Sequence, residues 1–290
     1  MSFEIVTDSS CNLPDELIES YGLHILPLTF LVDGTSYLSY EKGRSFDFKG
    51  FYDLMRAGKG VSTSLPNLSD STELLANLVA AGNDILYIGF SSGLSGTYDA
   101  TRLILAGLSA KYPERTLLAC DTLAASLGEG LLVHYAVKMR DEGYSIEEVY
   151  NWLEENKLKL AHWFTVDDLT YLQRGGRLSK GVALVGNLLN AKPVLHTDDA
   201  GHLVPVEIVR GRRKSLRALV DHMDASADRP VEKQTIFITQ SECLEEAEAV
   251  ARMIDERLGG KVDLIWNLDP VIGAHCGPGT IGLFFIADKR

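Results

Sequence analysis

Positive charge is in short supply. Against 40 aspartates and glutamates the 290-residue chain sets 28 lysines and arginines, a formal net charge of -12. A surface of that sign repels phosphate backbones and anionic headgroups, so neither a nucleic-acid partner nor stable membrane insertion is expected. The stretch 210–214 (RGRRK) is the one basic cluster. Long apolar runs are missing too, and none reaches the ~18 residues of a membrane-spanning helix. The four cysteines, Cys11, Cys120, Cys243 and Cys276, stand far apart, with neither metal-ligand nor disulfide-framework spacing. Free thiols in a reducing compartment are the plain expectation. The chain opens directly on a strand pattern, MSFEIVTDSS, without the charged and apolar regions of a secretory leader. Together these absences point to a cytoplasmic location. Internal repeats and low-complexity segments are also lacking.

What is present is an alternation of strands and helices. With 46% hydrophobic residues the chain has material for a sizeable core. Residues 3–6 form a short apolar strand, a helix starts near Pro14, and 25–32 reads as the next strand, which is the opening of an α/β sheet. Helices are expected over 45–57, 71–81, 98–111, 124–140 and 146–156, the last with Ser145 and Glu148 as a capping box. Strands are expected at 85–90, 116–120 and 160–166. Beyond residue 160 the pattern changes. A hairpin turn at 198–201 joins two strands, a short helix spans 182–189, and strands at 235–239, 262–268 and 281–287 alternate with helices at 215–223 and 244–258. This predicts two α/β domains, 1–160 and 161–290. The first is an open, largely parallel sheet flanked by helices, and the second a mixed sheet with helices.

Four loops are unusual in composition: 7–10 (TDSS), 61–67 (VSTSLPN), 91–97 (SSGLSGT) and 275–280 (HCGPGT). The third follows a buried strand and leads into a helix, the position at which open α/β sheets bind ligands. It has no G-x-x-x-x-G-K-[ST] and no G-x-G-x-x-G, so it is not a nucleotide cradle. Hydroxyls and backbone amides hold a carboxylate or phosphate without full counter-charge. Ser, Thr and Gly also populate ordinary turns and caps, and composition alone leaves both readings open. Arg177, after Gly175-Gly176, is placed to fork onto an anion or to sit in solvent. His275 has the chemistry of a donor, a base or a packed core histidine. A serine hydrolase using Ser95, His275 and Asp198 or Asp269 is an alternative by chain order, although no serine sits in G-x-S-x-G.

Five stretches taken together resemble the DegV family of bacterial fatty-acid-binding proteins. They are Thr7-Asp8-Ser9-Ser10, Thr63-Ser64-Leu65-Pro66, residues 91–98 (SSGLSGTY), Gly175-Gly176-Arg177-Leu178-Ser179 and residues 275–280. They fall in the family's order and span nearly the whole chain. The resemblance implies two α/β domains with one long-chain fatty acid buried between them, and no other cofactor. It implies a non-enzymatic partner of a separate fatty-acid kinase subunit, which phosphorylates the bound carboxylate with ATP to an acyl phosphate for phospholipid synthesis. Thr63 and Ser95 match the family's carboxylate-binding hydroxyls, and Arg177 and His275 its basic pair near the head group. Ser9, Ser64, Ser92 and Gly96 are candidates for a supporting layer. Leu65, Asn67 and Cys276 depart from the glutamine, serine and threonine common in the family.

Overall fold

The computed structural model describes residues 3–178, 190–228 and 230–288. The expected helix at 182–189, and Ser179 of the glycine-turn motif, lie outside the described residues. The chain begins β1 (Glu4–Asp8), α1 (Asp15–Ser20), β2 (His24–Leu26), β3 (Thr29–Val32), β4 (Thr35–Leu38), α2 (Phe48–Arg56), β5 (Val61–Ser64) and α3 (Leu68–Ala80). It continues β6 (Ile85–Gly89), α4 (Thr97–Lys111), β7 (Leu117–Asp121), α5 (Leu127–Asp141), α6 (Ile146–Asn156), β8 (Leu160–Thr165) and α7 (Thr170–Arg174). The remainder is β9 (Ala191–Thr197), β10 (Leu203–Arg210), α8 (Arg212–Ser226), β11 (Phe237–Gln240), α9 (Leu244–Leu258), β12 (Leu264–Asn267), α10 (Pro270–Cys276) and β13 (Ile281–Ile286).

These elements build two α/β domains. In the first, β2-β1-β6-β7 form a wholly parallel sheet. Every residue of β6 is buried, as a central parallel strand covered on both faces requires. The second sheet has the order β10-β9-β8-β13-β11-β12, antiparallel except between β11 and β12. A three-stranded antiparallel sheet, β4-β3-β5, stands beside them. Helix α5 is buried almost all round its first three turns because it packs on β6 and also on β8, β11 and β13.

Three local expectations need correction. Residues 25–32 are two strands in two sheets, since Pro27 has no N–H with which to extend a ladder and the chain leaves the parallel sheet there. Residues 61–64 are not loop but an edge strand whose alternate side chains face inward, with Phe30 opposite Thr63. His275 is not in a loop either. Asp269 caps α10 by accepting from the Ile272 N–H, and Pro270 occupies the first turn, where its missing N–H costs nothing.

The carboxyl ends of β1 and β6 lie side by side, which brings residues 7–10 and 91–97 to one edge. There the buried Asp8 carboxylate accepts from the Phe90 N–H at 3.0 Å and the Tyr87 hydroxyl at 2.9 Å. Its other oxygen caps the turn at Ser9–Cys11 through the Ser10 N–H. Ser10 Oγ bridges Asp8 to the buried Glu129 of α5, 2.7 Å away, and Thr7 donates to the same glutamate. Burial and the neighbouring Asp8 raise the Glu129 pKa well above the usual carboxylate range.

Candidate functional site: an apolar slot with a cationic lip

A cavity of about 310 Å³ opens between the two domains. That is at the low end of the roughly 300–1,000 Å³ typical of small-molecule sites. Its inner wall is mainly apolar, with Phe90 and Leu94 from the first domain and Phe164, Leu203, Val271 and Phe284 from the second. Its mouth is polar. Thr63 and Ser64 reach it from β5, Ser95 and Gly96 from the loop before α4, Arg177 from the glycine turn after α7, and His275 from α10. No aspartate or glutamate lines the cavity among the described residues, and Arg177 is its one fixed charge.

Each mouth residue is held by local chemistry. Thr63 Oγ1 and His275 Nε2 are hydrogen bonded at 2.8 Å across 212 residues of sequence. His275 Nδ1 is buried with no partner among the described residues. Burial, with the nearby Arg177 charge, depresses the His275 pKa to about 4, so the imidazole is neutral near pH 7. The two glycines before Arg177 have separate uses. A Cβ on Gly175 would fall 2.1 Å from His275 Nδ1, and Gly176 turns the chain at φ +67°. Arg177 donates from Nε to the Leu94 carbonyl at 3.2 Å and from Nη1 to the Gly175 carbonyl at 2.6 Å, tying the glycine turn to the serine loop. Burial lowers its pKa from the ordinary arginine value without threatening its charge. Ser95 Oγ pairs with Thr97 Oγ1 at 2.8 Å and accepts from the Thr97 N–H at the start of α4. The fifteen-residue α4 thus turns its partially positive N-terminus toward the mouth.

The remaining candidates divide. Ser64 is at the exposed lip, its hydroxyl bonded to the Leu65 carbonyl, and Gly96 faces the Leu65 side chain. Ser9 is off the wall. Its hydroxyl accepts from the Leu28 N–H and bonds Ser39, so it fixes Leu28, which is on the wall. Ser92 is exposed and off the wall, its N–H donating to Asp121. The hydrolase arrangement does not assemble. Ser95 pairs with Thr97 rather than His275, His275 pairs with Thr63 rather than with an aspartate, Asp269 caps its own helix through Oδ1, and Asp198 serves its own turn by accepting from the Ala200 and His202 N–H groups. Sequence reasoning passed over Ser126, His162 and Thr239 on the inner wall, where Thr280 of the 275–280 motif joins them. Each of those three is a single polar residue inside or beside an apolar run, and no local signal distinguishes it from a core residue. For His275 a signal existed, since Asp269-Pro270 is a helix-start pair. No group of three or more His, Cys, Asp or Glu side chains is arranged to hold a metal ion among the described residues.

Two α/β domains closing on a slot that is apolar within and cationic at the lip define a protein built around one enclosed small ligand. Residues 2–288 match the model of the family described as "Uncharacterised protein, DegV family". A DegV domain-containing protein of Clostridium perfringens is 42% identical over 288 residues, covering 99% of this chain and 98% of its own. Among solved structures, a DegV family protein from Thermus thermophilus, studied for fatty-acid binding, superposes with a TM-score of 0.87 at 29% identity, covering 99% of this chain and 100% of its own. DegV of Bacillus subtilis, described as a fatty acid binding protein, gives 0.84 at 27%, with 99% and 100% covered. The chain belongs to the DegV family.

Proposed function

We propose that this protein binds one long-chain fatty acid, with the tail in the slot and the carboxylate at its mouth. The observation that carries the reading is the charge pattern of the cavity. Among the described residues one arginine and no carboxylate stand at the rim of a mainly apolar wall, which complements an amphiphile with a single negative end. Each CH₂ buried contributes ~0.8 kcal/mol, so a chain of about 16 carbons supplies roughly 10 kcal/mol before ordering costs. The head group needs hydrogen bonds in return. Thr63, Ser95, Arg177 and His275 are the groups we assign to it, with Ser64 and Gly96 beside them and Ser9 acting through Leu28. The fatty-acid binding described for the Thermus thermophilus and Bacillus subtilis relatives supports this reading.

We further propose that the carboxylate is offered to a separate kinase subunit, which uses ATP to make the acyl phosphate for phospholipid synthesis. The half-exposed mouth supports access by such a partner, and the cationic Arg177 beside it would offset the added charge during transfer. A cytoplasmic location and independence from nucleic acid are part of the same proposal, supported by the net charge of -12. No helix among the described residues is long and apolar enough to cross a membrane.

Native mass spectrometry of the purified protein tests the central claim. A bound mass in the fatty-acid range, removed by organic extraction and restored by added palmitic acid, is expected. A protein that is empty as purified and takes up no labelled palmitic acid contradicts it.

A further inference from the structure

Strand register defines the inner end of the slot. Thr280, Gly282 and Phe284 occupy every second position along β13 and the residue before it, and all three line the cavity. Ile286, the next in that series, does not. Thr280 is on the mouth side, its hydroxyl donating to the carbonyl of Cys276, the neighbour of His275. The strands on either side stop at the same level. On β8, Phe164 and His162, paired with Gly282 and Phe284, line the cavity, and Leu160, paired with Ile286, does not. On β11, Thr239 opposite Gly282 lines it, and Phe237 opposite Phe284 does not. The lining therefore ends on the row of His162 and Phe284.

Phe284 fills that row. Its ring leans back along the strand toward the slot, since a Cβ on Gly282 would fall 2.9 Å from its Cζ. On the helix side, a Cβ on Gly128 of α5 would fall 2.9 Å from its Cδ1. The His162 ring flanks it, with centroids 4.8 Å apart. Two glycine backbones and an imidazole thus form a close-fitting niche for the phenyl ring. Glycine inside a central strand weakens it and marks a close approach, and here the approaching group is this ring. Behind the ring is solid core, where Phe284 packs in one cluster with Leu127, Leu160 and Phe237. We propose that Phe284 is the floor of the slot and sets the longest acyl chain that the protein accepts. This rests on the fatty-acid reading above and adds a length limit to it. A smaller side chain at 284 leaves a niche walled largely by backbone, which collapses little, so the slot extends inward.

The test is a series of saturated fatty acids from lauric to behenic acid, each displacing a fluorescent fatty acid from the delipidated full-length protein. In the wild type, affinity is expected to rise about fourfold with each added carbon up to one length and to stop rising beyond it. In Phe284→Leu, and further in Phe284→Ala, with folds checked by circular dichroism, that break should move to longer chains by one member of the series or more. Leu283→Ala is the control. Leu283 is as buried as Phe284 but packs on the opposite face of β13, in the cluster of Val220 and Ile238, so its loss loosens the strand and should leave the break in place. Wild-type affinity that keeps rising through behenic acid would overturn the proposal. So would a break that stays put in both Phe284 variants, or one that Leu283→Ala moves equally. Each of these results leaves fatty-acid binding intact. If no member of the series binds the wild type, the fatty-acid reading fails with it.

Discussion

His275 is neutral at a place where a cation would look natural. Arg177 already supplies the charge, and burial beside it holds the imidazole's pKa near 4 against an ordinary 6.5. In the unfolded chain the same histidine protonates as pH falls through 6.5, while the folded one resists until about 4. Its contribution to stability is therefore complete above 6.5 and is lost as pH falls toward 4. Compared with His275→Gln, the wild-type protein should lose about 3 kcal/mol of relative stability across that window, by urea denaturation at stepped pH. A difference that stays constant from pH 7 to pH 4 would contradict the assignment. Thr63, Ser95, Arg177 and His275 are all visible as motif positions in the sequence. The bond between Thr63 and His275 is not, because it joins residues 212 apart and depends on how β5 and α10 dock. Ser126 illustrates the opposite limit. Nothing in its neighbours marks it as part of the cavity wall, where only the folded chain places it.

The junction of β1, β6 and α5 turns on a single hydroxyl proton. Ser10 Oγ touches carboxylate oxygens of both Asp8 and Glu129 but has one hydrogen to donate. One carboxyl must therefore carry a proton, and Glu129, the group raised furthest by burial and Asp8, is the holder. Asp8 is then the ionised partner, its two oxygens accepting from Ser10, Tyr87 and Phe90. Glu129→Gln mimics the protonated acid and should cost less than about 1 kcal/mol. Asp8→Asn, whichever way the amide is set, turns its N–H₂ toward a backbone N–H, of Ser10 or of Phe90, that can only donate, and should cost about 3 kcal/mol or more. Chemical denaturation of the two variants checks both figures, and equal losses would refute the allocation of the proton. Elements such as β6, α6 and α9 are plain in the sequence, β6 from its unbroken apolar run, α6 from its period and capping box, and α9 from its period and the closing Gly259. The breaks at Pro27 and the strand at 61–64 are not, since the partners that decide them, β1 and β3, lie elsewhere in the chain.

The cavity takes its wall from both domains, so whatever fills it joins them. Ligand that binds the folded state alone stabilises it in proportion to the logarithm of its concentration over the dissociation constant. The delipidated protein should melt several degrees below the loaded one, and saturating fatty acid at a thousandfold excess over the dissociation constant should return about 4 kcal/mol. Scanning calorimetry before and after extraction measures this, and an unchanged melting temperature would show that the slot contributes nothing to cohesion. The two α/β domains themselves are legible from the alternation of strands and helices. The slot between them is not, because its apolar lining is indistinguishable in sequence from the cores it adjoins. Helix α5 sets a last constraint. Its two sides face two different sheets, so a fragment that stops short of β8 leaves a greasy helix face in water and invites aggregation. A hybrid that grafts the second half of one relative onto the first half of another must therefore solve the fit around α5 before its ligand preference can be tuned. Shuffling this protein by halves is a packing problem first and a recognition problem second.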